Sequence, residues 1–349
     1  MSDSTGDIKQ THTALLGHTV EELLNIFPGE PSFRHRQLYR WLHNRSVGEF
    51  EEMSNLSLDF RHHLSAGYSI TNMQILKESQ SQTEATSKFL IQLEDGESIE
   101  TVYMEFEERS TVCVSTQVGC AVGCPFCATG QMGLRRNLTA GEILGQLHLL
   151  RQELQLEFSN VVFMGMGEPF HNYDAVMQAL EIMTDTEGYG LSARKVTVST
   201  AGVIPRIRDF ALAPVKAKLA ISLSSARNEV RDKLIPLNRK YPLEELFEAL
   251  RYYASHTRHR ITFEYVLLKG VNDSAEDARL IRKILGQLPA KLNLIVYNET
   301  EGDFTSTSRA DFIKFYERFL DAPFPVTFRE NRGSDIEAAC GQLWTRSDS

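Results

Sequence analysis

"TVCVSTQVGCAVGCPFCATGQMGLRRNLTAGEILGQLHLLRQEL", Thr111 to Leu154, reads as a strand, a loop and a helix in succession. "TVCVST" is a short β-branched run. "TAGEILGQLHLLRQEL" opens on a Thr139/Glu142 capping box and repeats its apolar residues at three- and four-residue spacing, which marks an amphipathic helix. Between them stand Cys120, Cys124 and Cys127. The same order returns down the chain. Strands are expected at "NVVFMG", "KVTVST", "KLAISLS", "ITFEYVLL", "LNLIVYN" and "PVTFRE". Helical patterns lie among them at "YDAVMQALEIM", "PLEELFEALRYYASH", "AEDARLIRKILGQL" and "RADFIKFYERFL". Strand followed by helix predicts an α/β fold with a parallel sheet and helices outside. About six such units make a full or partial (β/α) barrel, whose chemistry belongs at the C-terminal ends of the strands.

Upstream the period changes. "TVEELLNIF", "RHRQLYRWLHN" and "LSLDFRHHLSAG" are helical, and "SKFLIQLEDGESIETVYMEF" is two alternating runs around a turn, the mark of a β-hairpin. The chain is thus expected to hold a small N-terminal helical domain over 1–69, a β-hairpin connector over 70–108 and the barrel core over 109–349. In the core the cysteine cluster follows the first strand, "GMGEP" the second, "STAG" the third, "SLSS" the fourth and "NET" the sixth. Cys340, in "RGSDIEAACGQL", follows the last, so all of these are expected on one rim.

Composition limits the possible functions. Of 349 residues 42% are hydrophobic and 24% charged, ordinary for a globular chain able to bury a large core. The N-terminal "MSDSTGDIKQ" is polar with both charge signs, unlike a secretory or transit leader, and no apolar run is long enough to span a bilayer. A cytoplasmic location is expected. Thiols stay reduced there, so an odd number of cysteines, five, points to metal or catalytic chemistry. The net charge of -9 argues against indiscriminate nucleic-acid binding. One stretch stands apart: "FRHRQLYRWLHNR" carries Arg34, Arg36, Arg40 and Arg45 and no acid, and is either a solvated helix face or a contact for a polyanion.

Three thiolates spaced C-x-x-x-C-x-x-C hold three irons of a 4Fe–4S cluster and leave the fourth open, where an electron-transfer ferredoxin would use four. S-adenosylmethionine can chelate that iron through its amino and carboxylate groups, and one-electron reduction then releases a 5'-deoxyadenosyl radical. The other reading is a zinc site completed by a remote histidine. Read alone, Cys113 on its apolar strand is a small core residue and Glu100 a solvated strand residue.

The sequence resembles the RlmN/Cfr group of radical S-adenosylmethionine RNA methyltransferases. The likeness is carried from about Phe33 to Leu343 by "ETVYM", "CVSTQVGCAVGCPFCATGQMGLRRNLTAGEI", "FMGMGEP", "RKVTVSTAGV", "RNEVRDKLIPLNRKYPL", "VNDS" and "GSDIEAACGQL". The resemblance implies one 4Fe–4S cluster on Cys120, Cys124 and Cys127, and two S-adenosylmethionine molecules per turnover. It also implies a nucleophilic Cys340 that becomes S-methylated and then bridges covalently to an adenosine of RNA. By the same resemblance Glu100 is the general base, and Cys113 attacks the Cys340 sulfur to release product, leaving a disulfide that must be reduced. S-adenosylmethionine contacts carry over to Gly167, Glu168, Ser199, Ser222, Leu223, Ser224 and Asn298. Two departures stand out. Most relatives have "SLHA", where this chain puts Ser224 in place of histidine, and "NLIVYNETEG" lacks the proline that commonly follows the matching asparagine.

Sequence-specific RNA enzymes act on bases splayed from single-stranded loops. The resemblance makes Arg34, Arg36 and Arg40 a backbone clamp, with Arg135, Arg136, Arg239 and Lys240 along the approach. "GMGEP" and "TQVGC" fit the RlmN branch better than the "GMGEA" and "QCGC" forms of the Cfr branch. The RlmN branch makes 2-methyladenosine at the peptidyl-transferase centre of 23S rRNA and at tRNA position 37; the Cfr branch methylates carbon 8 of the same rRNA adenosine and confers antibiotic resistance. A low-potential donor such as flavodoxin or ferredoxin and a monomeric state are expected. A different class, an iron–sulfur electron carrier or binding module, would give Cys113, Cys340 and "GMGEP" no purpose.

Overall fold

Two periodicities divide the chain, and each builds its own layer. The computed structural model describes residues 12–300, 302–329 and 332–344. The N-terminal stretch read above as no leader lies outside these residues, as do Glu301 and Glu330, each within a quoted motif.

The first layer is helical. β1 (Thr13–Ala14) is followed by α1 (Val20–Ile26), α2 (Ser32–Arg40) with a π-helical turn over Trp41–Arg45, and α3 (Leu58–Gly67). β2 (Tyr68–Ser69) returns to pair in parallel with β1. Leu23, Leu38, Leu42 and Leu64 are fully buried, and Phe27 meets Phe60 edge-on at 5.4 Å. Thr19 and Glu22 close a capping box at the start of α1.

The second layer is one sheet. β3 (Gln74–Gln80), β4 (Thr86–Gln92), β5 (Ser98–Phe106) and β6 (Arg109–Cys113) form an antiparallel meander. β7 (Gln117–Gly119), α4 (Ala128–Gln131) and β8 (Leu134–Asn137) make the cysteine loop, and α5 (Ala140–Gln152) follows. Then come β9 (Asn160–Phe163), α6 (Tyr173–Thr184), β10 (Val196–Thr200), α7 (Ile204–Leu212), β11 (Lys218–Ser222), α8 (Asn228–Leu234), α9 (Leu243–His256), β12 (Ile261–Leu267), α10 (Ala275–Leu285), β13 (Ala290–Val296), α11 (Arg309–Glu317) and β14 (Val326–Arg329). The strand order is β14-β13-β12-β11-β10-β9-β6-β5-β4-β3. Every neighbouring pair from β6 to β14 is parallel, so the barrel is partial, with open edges at β3 and β14. The parallel strands read as near-continuous apolar runs because helices cover one face and the barrel interior the other.

The structure sharpens the sequence expectations at two points. The hairpin expected as a connector is the antiparallel flank of the barrel sheet itself, because β5 pairs with β6, setting Val102 opposite Cys113. β5 is buried from Ile99 to Met104, which a free hairpin in water could not be. Helices α7 and α8 had no strong sequence signal. Each is short, and α7 carries Pro205 in its first turn, where the missing N–H costs nothing. Among the described residues no helix is long and apolar enough to cross a membrane.

A buried amide joins helix to sheet behind the cysteine loop. Gln146 on α5 is fully buried; its Oε1 accepts from the Ser115 N–H at 2.8 Å and the Thr101 hydroxyl at 2.7 Å, and its Nε2 donates to the Ser115 carbonyl at 2.9 Å. Gln146→Leu fills similar space but strands three polar partners away from water, and is expected to cost about 3 kcal/mol in urea denaturation.

Candidate active site

The loop between β7 and β8 is held by its backbone. The Cys120 N–H donates to the Gly133 carbonyl at 3.0 Å and the Cys127 N–H to the Cys124 carbonyl at 3.1 Å. Gly119 has φ +75°, and a Cβ there would lie 1.8 Å from the Gly133 oxygen, so this closure requires glycine. Cys120, Cys124 and Cys127 line one cavity of about 180 Å³ together with Phe126. Residues of β9 to β13 complete it: Phe163, Ser199, Ser222, Glu264 and Ile295. The sheet therefore curls round this space, and its C-terminal rim is the expected one.

The donor set fits a cluster. Burial pushes the Cys120 thiol up to about 12 and raises Cys124 and Cys127, and the thiols raise one another. Groups so placed ionise only against a cationic partner, which iron supplies. No three His, Cys, Asp or Glu side chains among the described residues are arranged to hold a single metal ion. The three corners of a cluster would take one thiolate each.

Glu168 is buried, and both its oxygens are engaged: Oε1 accepts from the Phe170 N–H at 3.0 Å and Oε2 from the Ala201 N–H at 2.7 Å. Burial raises its carboxyl, against the Ala201 and Phe170 N–H groups and the Thr200 hydroxyl. Glu168 thus ties the β9 loop to the end of β10, with lone pairs left over for the cavity. Gly167, at φ +102°, lies so close to Gln117 that a Cβ would sit 2.6 Å from the Gln117 Cβ. Of the "SLSS" motif, Ser222 lines the cavity, whereas Leu223 and Ser224 are buried behind it. Ser224 sits in the left-handed region at φ +50°, with its carbonyl accepting from Asn272 at 2.7 Å. Asn298 lies outside this cavity and donates to the Cys340 carbonyl at 3.2 Å.

Sequence reasoning missed two residues here. Glu264, within "ITFEYVLL", faces the cavity and accepts from the Asn293 amide at 2.8 Å; in the sequence it is one polar position in an apolar strand. Arg231 on α8 is fully buried and donates to the Leu223, Ala201 and Ser222 carbonyls and to Asn238. Burial lowers it to about 10, while the nearby Cys124 and Asp232 raise it. In "RNEVRDKLIPLNRK" nothing local sets it apart from the other charged residues.

Cys340 joins two spaces. It lines the cluster cavity and a smaller one of about 20 Å³ shared with Cys113, Val102, Met104 and Asn298. It is close enough to Cys127 to raise that thiol. The segment around Cys340 is tied down on both sides. The Ala128 N–H donates to the Gly341 carbonyl at 2.7 Å, the Thr129 hydroxyl to the Leu343 carbonyl at 2.7 Å, and the Trp344 N–H to Glu100 Oε2 at 2.8 Å. Glu100 is buried and ion-paired to Lys88 at 2.8 Å.

The basic residues divide. Arg34 pairs with Glu30, Arg40 with Glu187, Arg135 with Glu97, and Arg136 with Asp95 and Glu142. His35 and His43 are core residues bonded to backbone carbonyls, and burial lowers His43 to about 3. Arg36, Arg45, Arg239 and Lys240 are exposed, with no ion pair among the described residues.

Comparison with known proteins gives matching results. Residues 114–281 match the family described as the radical SAM superfamily, and 13–70 the ribosomal RNA large subunit methyltransferase N-terminal domain. The chain is 43% identical over 321 residues to the dual-specificity RNA methyltransferase RlmN of Geotalea uraniireducens, covering 92% of each. It is 45% identical over 326 residues to the probable dual-specificity RNA methyltransferase RlmN of Desulfitobacterium hafniense, covering 90% of this chain and 91% of that one. A crystal structure of a radical SAM methyltransferase from Sphaerobacter thermophilus superposes with a TM-score of 0.90 at 42% identity, over 95% of this chain and 99% of that one.

Arg231→Met keeps the bulk of the side chain and strands its buried acceptors. It is expected to lower stability by about 3 kcal/mol or more in chemical denaturation.

Proposed function

The chain belongs to the RlmN family of radical S-adenosylmethionine RNA methyltransferases, and on that footing we propose that it forms 2-methyladenosine in 23S rRNA, at the peptidyl-transferase centre, and in tRNA. It works as a cytoplasmic monomer supplied by a low-potential donor such as flavodoxin or ferredoxin. The observation that carries this reading is the position of Cys340, which borders the three-cysteine cavity on one side and the Cys113 cavity on the other.

Cys120, Cys124 and Cys127 hold the single 4Fe–4S cluster, which when bound supplies the electron that frees a deoxyadenosyl radical from S-adenosylmethionine. Gly167, Glu168, Ser199 and Ser222 orient that molecule, Glu168 through its spare lone pairs toward the ammonium. Leu223 and Ser224 contribute through the backbone shape behind Ser222, and Asn298 through the Cys340 loop it holds. The Cys340 thiolate first takes a methyl group from one S-adenosylmethionine: the sulfonium C–S bond breaks and a thioether C–S bond forms. With a second molecule, hydrogen-atom removal turns this methyl into the carbon that bonds to the adenine ring. The adduct must also give up its odd electron, which the bound cluster would accept, as Glu100 takes the proton from the attacked ring carbon. Cys113 attacks the Cys340 sulfur, the bond from that sulfur to the transferred carbon breaks, and the carbon takes up a proton to become the methyl group of the freed RNA, leaving a disulfide for the next reduction. Both cysteines lining one small cavity supports that last step. The exposed Arg36, Arg45, Arg239 and Lys240 contact the RNA backbone, with Arg34 and Arg40 joining if RNA displaces their acids.

Anaerobic incubation of the reconstituted protein with reductant, S-adenosylmethionine and RNA is expected to yield 2-methyladenosine by nucleoside mass spectrometry. Finding 8-methyladenosine would move the protein to the Cfr branch, and 5'-deoxyadenosine with neither product would remove the RNA assignment. Cys340→Ala should abolish methyl transfer with iron content unchanged, whereas Cys113→Ala should trap RNA on the protein in a denaturing gel. Full turnover by either variant would sink the covalent mechanism.

A further inference from the structure

The strand that faces the proposed base carries a cation that this reaction leaves without a role. Lys88 lies on β4, directly opposite Val102 on β5, while Glu100 lies opposite Leu90. Paired residues share a face of a sheet, so Lys88, Glu100 and Val102 lie on one face, the one that Val102 shares with Cys113. The Lys88 ammonium donates to Glu100 Oε1 at 2.8 Å and to the Glu337 carbonyl at 3.2 Å. The second Glu100 oxygen accepts the Trp344 N–H at 2.8 Å. The pair therefore grips the chain before and after Cys340.

Energetics call for a reason. The side chains are only 11% and 6% exposed, and a pair this buried adds little net stability over apolar residues of the same size. We propose that Lys88 is a positioning residue for methyl transfer: it fixes the Glu100 carboxylate against the segment that carries Cys340, so that base and methyl-bearing sulfur keep one relative placement. The proposal rests on the reading of Glu100 as the base.

A pH dependence follows. Burial raises the Glu100 carboxyl; Lys88 from β4 and the Trp344 N–H oppose that, and Glu337 from the C-terminal segment adds to it. Without Lys88 the raising causes stand with less opposition. Glu100 then stays protonated to a higher pH, and the acid limb of the rate profile moves up.

The test is a single-turnover pH profile of methyl transfer to RNA by the reconstituted full chain, comparing wild type with Lys88→Met, Lys88→Arg and Glu100→Gln. Lys88→Met is expected to be slower at every pH, by at least tenfold in the acid limb and by less at high pH, and Lys88→Arg to restore most of the profile. S-methylation of Cys340, read by intact mass, needs no base at Glu100 and should be unchanged. Its loss in Lys88→Met would assign Lys88 to folding alone and overturn the proposal, as would equal slowing at every pH. An unshifted Lys88→Met profile beside an inactive Glu100→Gln would remove the role of Lys88 and leave the base reading intact. Undiminished product from Glu100→Gln would instead remove the base reading.

Discussion

A single buried guanidinium underlies the active rim. Arg231 comes from a short helix outside the barrel, yet its donors end on carbonyls of Ala201, Ser222 and Leu223, the last turns of chain after β10 and β11. Strand ends in a parallel sheet leave carbonyls without ladder partners, and one planar cation satisfies several at once. That fixes the relative height of the two strand ends from which Ser199 and Ser222 face the cavity. A positive charge with only neutral acceptors is costly in an apolar interior. Cys124 and Asp232 lie near enough to oppose that cost, and the same guanidinium that braces the rim works against the burial that raises the Cys124 thiol.

The C-terminal segment is the second constraint. Cys340 lies on no strand or helix; its place is set by bonds from three separate parts of the chain. Ala128 and Thr129 hold it to the cysteine loop, Asn298 to the end of β13, and Glu100 to the antiparallel flank. Such a segment can be exact in position without being rigid through its own secondary structure. A sulfur that must meet a cofactor on one side and Cys113 on the other needs that kind of tethering. The antiparallel flank is part of the same design, since pairing of β5 with β6 is what brings Glu100 and Cys113 onto one sheet.

Much of this was legible in the chain. The β9 to β13 strands stand out as apolar runs because both of their faces are covered, and α5 announces itself by its capping box. Motifs ending those strands fall on one rim as expected, since a parallel sheet sends every C-terminal end the same way. Less legible were contacts made across the fold. Arg135 and Arg136 read as a path for RNA, but Glu97 and Asp95, distant in sequence, engage them. His35 and His43 read as part of a basic face and are core residues, because helical periodicity alone did not say which side α2 buries.

The sequence by itself determined the chemistry available: three thiols at cluster spacing, two more cysteines, and strand-ending glycines and serines in register with an alternating fold. Local spacing suffices for that, because ligand spacing, capping and strand period are properties of neighbours along the chain. Only the tertiary structure decided which charges are buried, which are neutralised and which meet. Arg231, Glu264 and Lys88 each sit in unremarkable local sequence, and their partners lie on other elements. Burial and strand register give them meaning, and both are set by the sheet as a whole, which curls round one cavity.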